Sequence, residues 1–221
     1  MEEKKMIQVT VDGTARAYPA GTLCRTVAAD FQDRYPCDIL LVNRDGKLCE
    51  LHKPLDRDCT LKMVTARDKP GMQTYERSAV FLMLKAFYDI AGRENVERIT
   101  VEYSISSALF ILARGNFTLD QALLDRVEAR MRELSDQALP IEKRSVSTDD
   151  AIQLFREAGL VHKAQLLSFR LDSHVNIYSL DGFVDYFYGY MVPDTGYVKS
   201  FGLETFENGF VLRLPTRKDP S

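Results

Sequence analysis

Apolar and polar residues alternate at the start of the chain. Ile7, Val9 and Val11 stand against Gln8 and Thr10, a period of two that predicts a half-buried strand. Asp12-Gly13 then predicts a tight hairpin, because both central residues of a primed turn need positive φ. Arg16-Ala17-Tyr18 forms the return strand, which Pro19-Ala20-Gly21 ends. Thr22 stands where an N-cap would open a helix carrying Val27, Ala28 and Phe31. Residues 38–43 predict a buried strand, 44–47 its turn, 48–51 the return and 61–65 the closing strand. Two hairpins around one helix within residues 5–67 predict a small β-grasp, ubiquitin-like unit.

A polar stretch, residues 68–71, reads as a break and as the boundary to a second domain over residues 72–214. There the period changes. Residues 78–90 are apolar nearly all round, which predicts a helix buried between layers and not lying on a surface. Residues 99–103 and 108–112 read as strands. Thr118 with Gln121 has the spacing of a capping box, ahead of a helix whose apolar face is Leu119, Leu123, Val127, Met131 and Leu134. Pro140 ends it. Residues 147–150 cap a short helix carrying Ala151, Leu154 and Phe155 that Gly159 stops, and 161–169 predict another. Residues 175–214 are strand-like and aromatic, and 215–221 read as a linker to a downstream domain. The fold class expected is α+β.

Composition narrows the function classes. The 221 residues are 45% apolar and 28% charged, a globular balance, and no apolar run reaches the length a membrane helix needs. The charged start, residues 1–5, has no apolar stretch after it of the kind a signal peptide carries, so a cytoplasmic protein without a membrane partner is expected. A net charge of −3 argues against a dedicated nucleic-acid binder. Cys24, Cys37, Cys49 and Cys59 include no C-x-x-C pair and read as free thiols. Cys49 and His52 form a lone C-x-x-H, short of the four ligands of structural zinc, and His162 and His174 have no partner four residues away. P-loop, dinucleotide-binding and nucleophile-elbow motifs are absent.

The order of parts is itself informative. A β-grasp unit ending in the segment TARDKPG runs at once into a buried helix, and matching segments follow at residues 118–134, 141–144, 157–167, 184–185 and 192–193. This order resembles the TGS domain and second additional, editing domain of threonyl-tRNA synthetases over nearly the whole chain. The resemblance implies a site that hydrolyses mischarged tRNA with an H-x-x-x-H pair on the buried helix and a C-x-x-x-H pair late in the domain. Such side chains ligate a metal or move a proton near neutral pH.

At the matching positions this chain has Arg77 and Phe81, then Phe187 and Met191. Phenylalanine can do neither task, methionine offers at most a thioether, and Arg77 cannot act as a base near pH 7. No catalytic residue, metal or cofactor is therefore expected in this region. Lys163 and Asp185 match a cleft lysine and an aspartate of the family. With Arg77 and the aromatic faces of Tyr186 and Tyr188, they form a candidate binding set for a small anionic ligand or nucleotide. A direct Arg77–Asp185 pair filling the vacated pocket is the competing expectation, as is core filling by the aromatic run.

Residues 207–221 also resemble the end of the synthetase-like domain in bacterial nucleoside kinases of the uridine-kinase type. The implied function is a non-catalytic, ligand-sensing arm whose partner is a downstream kinase domain using ATP and Mg. Two alternatives are a threonyl-tRNA editing deacylase acting in trans and an RNA-binding adaptor. The missing ligands weigh against the first and the acidic balance against the second, with tRNA a weak partner expectation.

Overall fold

β1 (Met6–Val11) and β2 (Thr14–Pro19) form the expected hairpin, with Asp12 and Gly13 both at positive φ. α1 (Cys24–Phe31) follows β3 (Thr22–Leu23). The N-cap of α1 is Leu23 and not Thr22, whose hydroxyl donates back to the Pro19 carbonyl at 2.7 Å. That bond closes the preceding turn, a competing use of a threonine hydroxyl. β4 (Ile39–Arg44), β5 (Lys47–Glu50), β6 (Pro54–Leu55) and β7 (Cys59–Thr65) complete this region. They build a five-stranded sheet in the order β2-β1-β7-β4-β5, parallel only between β1 and β7. One face closes on α1 through Ile7, Val9, Val11, Val27, Phe31, Ile39 and Val42. Leu40 and Leu41 of β4 are buried as well, so this strand is covered on both faces and reads as a continuous apolar run.

The computed structural model describes residues 5–169 and 171–220. The charged start, residues 1–4, and Ser221 at the end of the expected linker lie outside the described residues.

α2 spans Lys69–Ala91 and so begins well before the expected residue 78. The segment read as a polar break is its opening turn: Asp68 is the N-cap and Pro70 sits in the first turn, where its missing N–H costs nothing. Asp68 also accepts from the Thr65 amide at 2.9 Å, which holds the end of β7 to the start of the helix. Gly71 permits the approach, since a Cβ there would lie 1.9 Å from the Thr65 carbonyl oxygen. Residues 78–87 are all buried, as the all-round apolar pattern predicts.

The reason is that several surfaces meet α2. β4 and β7 touch it, and α3 (Gln121–Asp136) lies alongside. β8 (Val96–Ile105) touches it as well and pairs with β9 (Ala108–Gly115). With β13 (Gly202–Phe206) and β14 (Gly209–Arg213) these strands form an antiparallel sheet in the order β13-β14-β9-β8. Phe87 stacks on Phe210 of that sheet at 5.9 Å and meets Phe117 edge-on at 5.3 Å. α3 buries Leu123, Val127, Met131 and Leu134 as expected, but its N-cap is Asp120, which accepts from the Leu123 amide at 2.8 Å. Gln121 is thereby released from a capping box and bonds the Leu203 carbonyl and the Thr205 amide of β13.

The chain divides into two compact units, Met1–Leu139 with Tyr190–Ser221, and Pro140–Gly189. The second holds α4 (Thr148–Glu157), α5 (Val161–Ser168) and a three-stranded sheet of β10 (Glu142–Ser147), β11 (His174–Leu180) and β12 (Phe183–Tyr186). Ser147 caps α4 by accepting from the Asp150 amide, as its sequence signals. Residues 215–220 turn back on themselves, the Thr216 amide donating to Asp219 and the Asp219 amide to the Thr216 hydroxyl. The mixed content bears out the α+β class. Among the described residues no helix is long and apolar enough to cross a membrane.

Candidate functional site

In the first unit, α2 presents Tyr75 and Ser78, three residues apart on one face, to the segment that returns from the second unit. The Ser78 hydroxyl donates to the Thr74 carbonyl at 2.8 Å and accepts from the Val192 amide at 3.1 Å. The Tyr75 hydroxyl donates to the Ser200 carbonyl and accepts from the Ser200 amide, both at 2.8 Å. Burial pushes that phenol up to about 12, so it stays a neutral donor. Arg77 donates to the Tyr190 carbonyl at 2.7 Å. Glu50, only 2% exposed, accepts from the Met191 amide at 3.1 Å. Backbone groups 190–192 are thus each held by a side chain of α2 or of β5. Sequence reasoning missed Glu50, Tyr75 and Ser78, because none carries a motif and each works through the main chain.

The positions matched to catalytic ligands are filled differently. Phe81 is 0% exposed and Met191 1%, both part of the packed interior. Phe187 is half-buried in the second unit, its ring edge-on to Tyr178 at 6.5 Å.

In the second unit, Lys163 on α5 and Asp185 on β12 form a direct ion pair. Asp185 is 3% exposed and also accepts from the Tyr186 amide at 2.7 Å. Burial pushes its carboxyl up, and the Lys163 ammonium and the amide pull it partly back. Tyr186 lies 5.8 Å from Phe155 and 6.3 Å from Tyr188, which is half exposed. Lys163, Asp185, Tyr186 and Tyr188 are therefore gathered within one unit, while Arg77 belongs to the other. The pairing expected between Arg77 and Asp185 is replaced, for the aspartate, by Lys163, which belongs to the same unit.

The remaining expectations concern thiols and histidines. Cys24 is buried and its thiol is pushed up to about 12, while Cys59 is raised by the same cause. Cys49 donates to the Lys47 carbonyl at 3.6 Å, and His52 stands 3.9 Å from Glu50. Among the described residues no three of His, Cys, Asp and Glu gather to hold a metal ion.

The chain is similar to threonine–tRNA ligases. It is 27% identical over 193 residues to the ligase of Halorhodospira halophila, covering 87% of this chain and 30% of the ligase. With the ligase of Thermotoga neapolitana it shares 29% over 202 residues, 90% of this chain and 30% of the ligase. With that of Burkholderia vietnamiensis it shares 30% over 193 residues, 87% of this chain and again 30% of the ligase. No family model matches the chain. This threonyl-tRNA synthetase-like region thus spans about 30% of the length of the curated relatives it matches.

Proposed function

We propose that the chain is a threonyl-tRNA-editing-like region that has lost hydrolysis and kept a ligand-binding, regulatory role. The observation that carries this reading is the burial of Phe81 and Met191, 0% and 1% exposed, at two of the positions that the resemblance assigns to ligand or proton-transfer groups. Ester hydrolysis needs a general base in reach of water or a metal that activates it. A phenyl ring and a thioether in a dry interior supply neither, and the Arg77 guanidinium cannot shed its proton.

The sheet order β2-β1-β7-β4-β5 around α1 supports residues 5–67 as a TGS-type β-grasp domain. Residues 72–214 would then be the editing-like domain and 215–221 the connector. Lys163, Asp185, Tyr186 and Tyr188 are the binding group this reading assigns to the second unit, a charged pair beside aromatic faces. Arg77 is a separate guanidinium in the first. The finer proposal is that the parent is a nucleoside kinase of the uridine-kinase type, with ATP and Mg handled by a P-loop domain downstream. The resemblance of residues 207–221 supports it, and a G-x-x-x-x-G-K-[ST] beyond Ser221 in the source gene would test it.

The ligase relatives favour a second reading, an editing deacylase acting in trans. One assay separates the two. Threonine-type tRNA carrying a wrong amino acid is expected to lose it at the buffer rate when the chain is added, and elemental analysis is expected to find no stoichiometric zinc. Deacylation above that rate, abolished by Lys163→Ala, would establish the second reading and overturn the first.

A further inference from the structure

The first unit carries a pocket of about 340 Å³ that the functional reading above does not use. Its walls come from the second turn of α2, from the β8–β9 turn and from the segment after β14: Met72 and Glu76, then residues 104 and 106–109, then residues 214–217. Its size is at the lower end of small-molecule sites, which suits a ligand of few heavy atoms.

Two charged side chains of opposite sign line it, Glu76 and Arg217. Glu76 is half-buried, and among the described residues its carboxylate has no hydrogen bond and no ion pair. Burial pushes that carboxyl up, and only the charge of neighbouring Arg77, itself bonded to the Tyr190 carbonyl, acts against it. Partly removing a carboxylate from water without a partner has a cost, and a bound cation would recover some of it. Arg217, from the segment after β14, is exposed and has no ion pair among the described residues. Its guanidinium has the forked donors that suit a carboxylate. Ser104, Ser106 and Ser107 line the same pocket, as do the apolar Met72, Leu109 and Leu214.

The pocket is ordered on both sides. The Leu214 amide donates to the Ser107 carbonyl at 3.0 Å, tying the segment that carries Arg217 to the β8–β9 turn. Ser106 holds that turn at φ 54, and the turn between Thr216 and Asp219 fixes the chain just around Arg217.

We propose that this pocket binds a small zwitterion of the α-amino-acid class, its ammonium on Glu76 and its carboxylate on Arg217. A simple cation would be repelled by Arg217 and a simple anion by Glu76; a molecule carrying both charges satisfies both walls and leaves the pocket neutral. The serine hydroxyls favour a short polar side chain over a long apolar one. This inference does not depend on the loss of hydrolysis or on the parent protein.

The test is calorimetry of the whole chain against glycine, serine and valine, with ethylamine and propionate as single-charge probes. Binding of a zwitterion is expected, with serine preferred, and each single-charge probe at least tenfold weaker. Glu76→Gln and Arg217→Ala are each expected to weaken zwitterion binding at least tenfold while leaving the melting temperature within a degree or two, both residues lying at the pocket surface. No binding of any zwitterion up to about 1 mM would overturn the proposal. So would binding that both variants leave unchanged. A loss of thermal stability in both variants without any ligand binding would overturn it too, and would show that the two side chains pair with each other.

Discussion

Truncating Phe81 to alanine is expected to cost about 3–5 kcal/mol of stability, since a buried phenyl ring leaves both lost transfer energy and a cavity. Phe81 is 0% exposed in the middle of α2, where sheet, helix and returning segment all close on the same helix. A site this fully buried collapses only partly around the lost ring, which is why the cavity adds to the cost. For a domain of this size the change is a drop in melting temperature of roughly 6–20 °C. Phe187→Ala, at a half-buried position, is expected to cost clearly less. Thermal melts of the two variants check the pair. Equal, small losses would mean that Phe81 does not fill the interior, and the loss of hydrolysis could not then be argued from its burial.

Replacing Lys163 by methionine is expected to destabilise the second unit in a pH-dependent way. In the native unit burial pushes the Asp185 carboxyl up, and the Lys163 ammonium is the largest influence opposing it. Without Lys163 only the upward push and the Tyr186 amide remain, so the carboxyl titrates higher in the folded variant than in the folded native unit. Below the ordinary carboxylate range Asp185 is protonated in every state, and the loss of the ammonium matters little. Above it, the folded variant must either hold a proton that the unfolded chain releases or bury a lone charge, so its stability falls as pH rises. Breaking a fully buried pair costs about 3–5 kcal/mol. The Lys163 side chain is 23% exposed, which brings the expectation to roughly 2–4 kcal/mol at pH 8, shrinking towards pH 4. Amide exchange in β11 and β12 reads the second unit directly. A difference that stays constant across this pH range would show that Lys163 contributes only its packed stem.

Much of the fold was legible because it rests on local pattern. The β1–β2 hairpin followed from Asp12-Gly13 and the alternation around it, and burial of residues 78–87 followed from a helix without a polar face. What was misread was decided by tertiary contacts. Residues 68–71 look like a break because Pro and Gly punctuate most chains, yet here Pro70 suits a first helical turn and Gly71 clears the Thr65 carbonyl. The expected caps at Thr22 and Thr118 lost to bonds that spacing cannot foresee, the turn closed by the Thr22 hydroxyl and the Gln121 amide reaching β13. Of the candidate site, resemblance singled out Lys163 and Asp185 one by one, but their pairing was not legible, since they lie on different elements. Glu50 and Glu76 gave no signal: an isolated glutamate in sequence looks the same whether it anchors a main-chain amide or lines a pocket.

The strand order β13-β14-β9-β8 bears on how the chain is made. β14, which belongs between β13 and β9, is synthesised after the whole of the second unit, whose last strand ends at Tyr186. On the ribosome, domains commonly fold in the order in which they emerge. Here the residues that emerge ahead of the second unit belong to the unit that is completed last. A nascent chain that has reached Gly189 holds every strand of the inserted unit, while β9 still presents an open edge waiting for residues 209–213. That edge, carrying Leu109 and Ile111, is the surface a chaperone at the exit tunnel would meet.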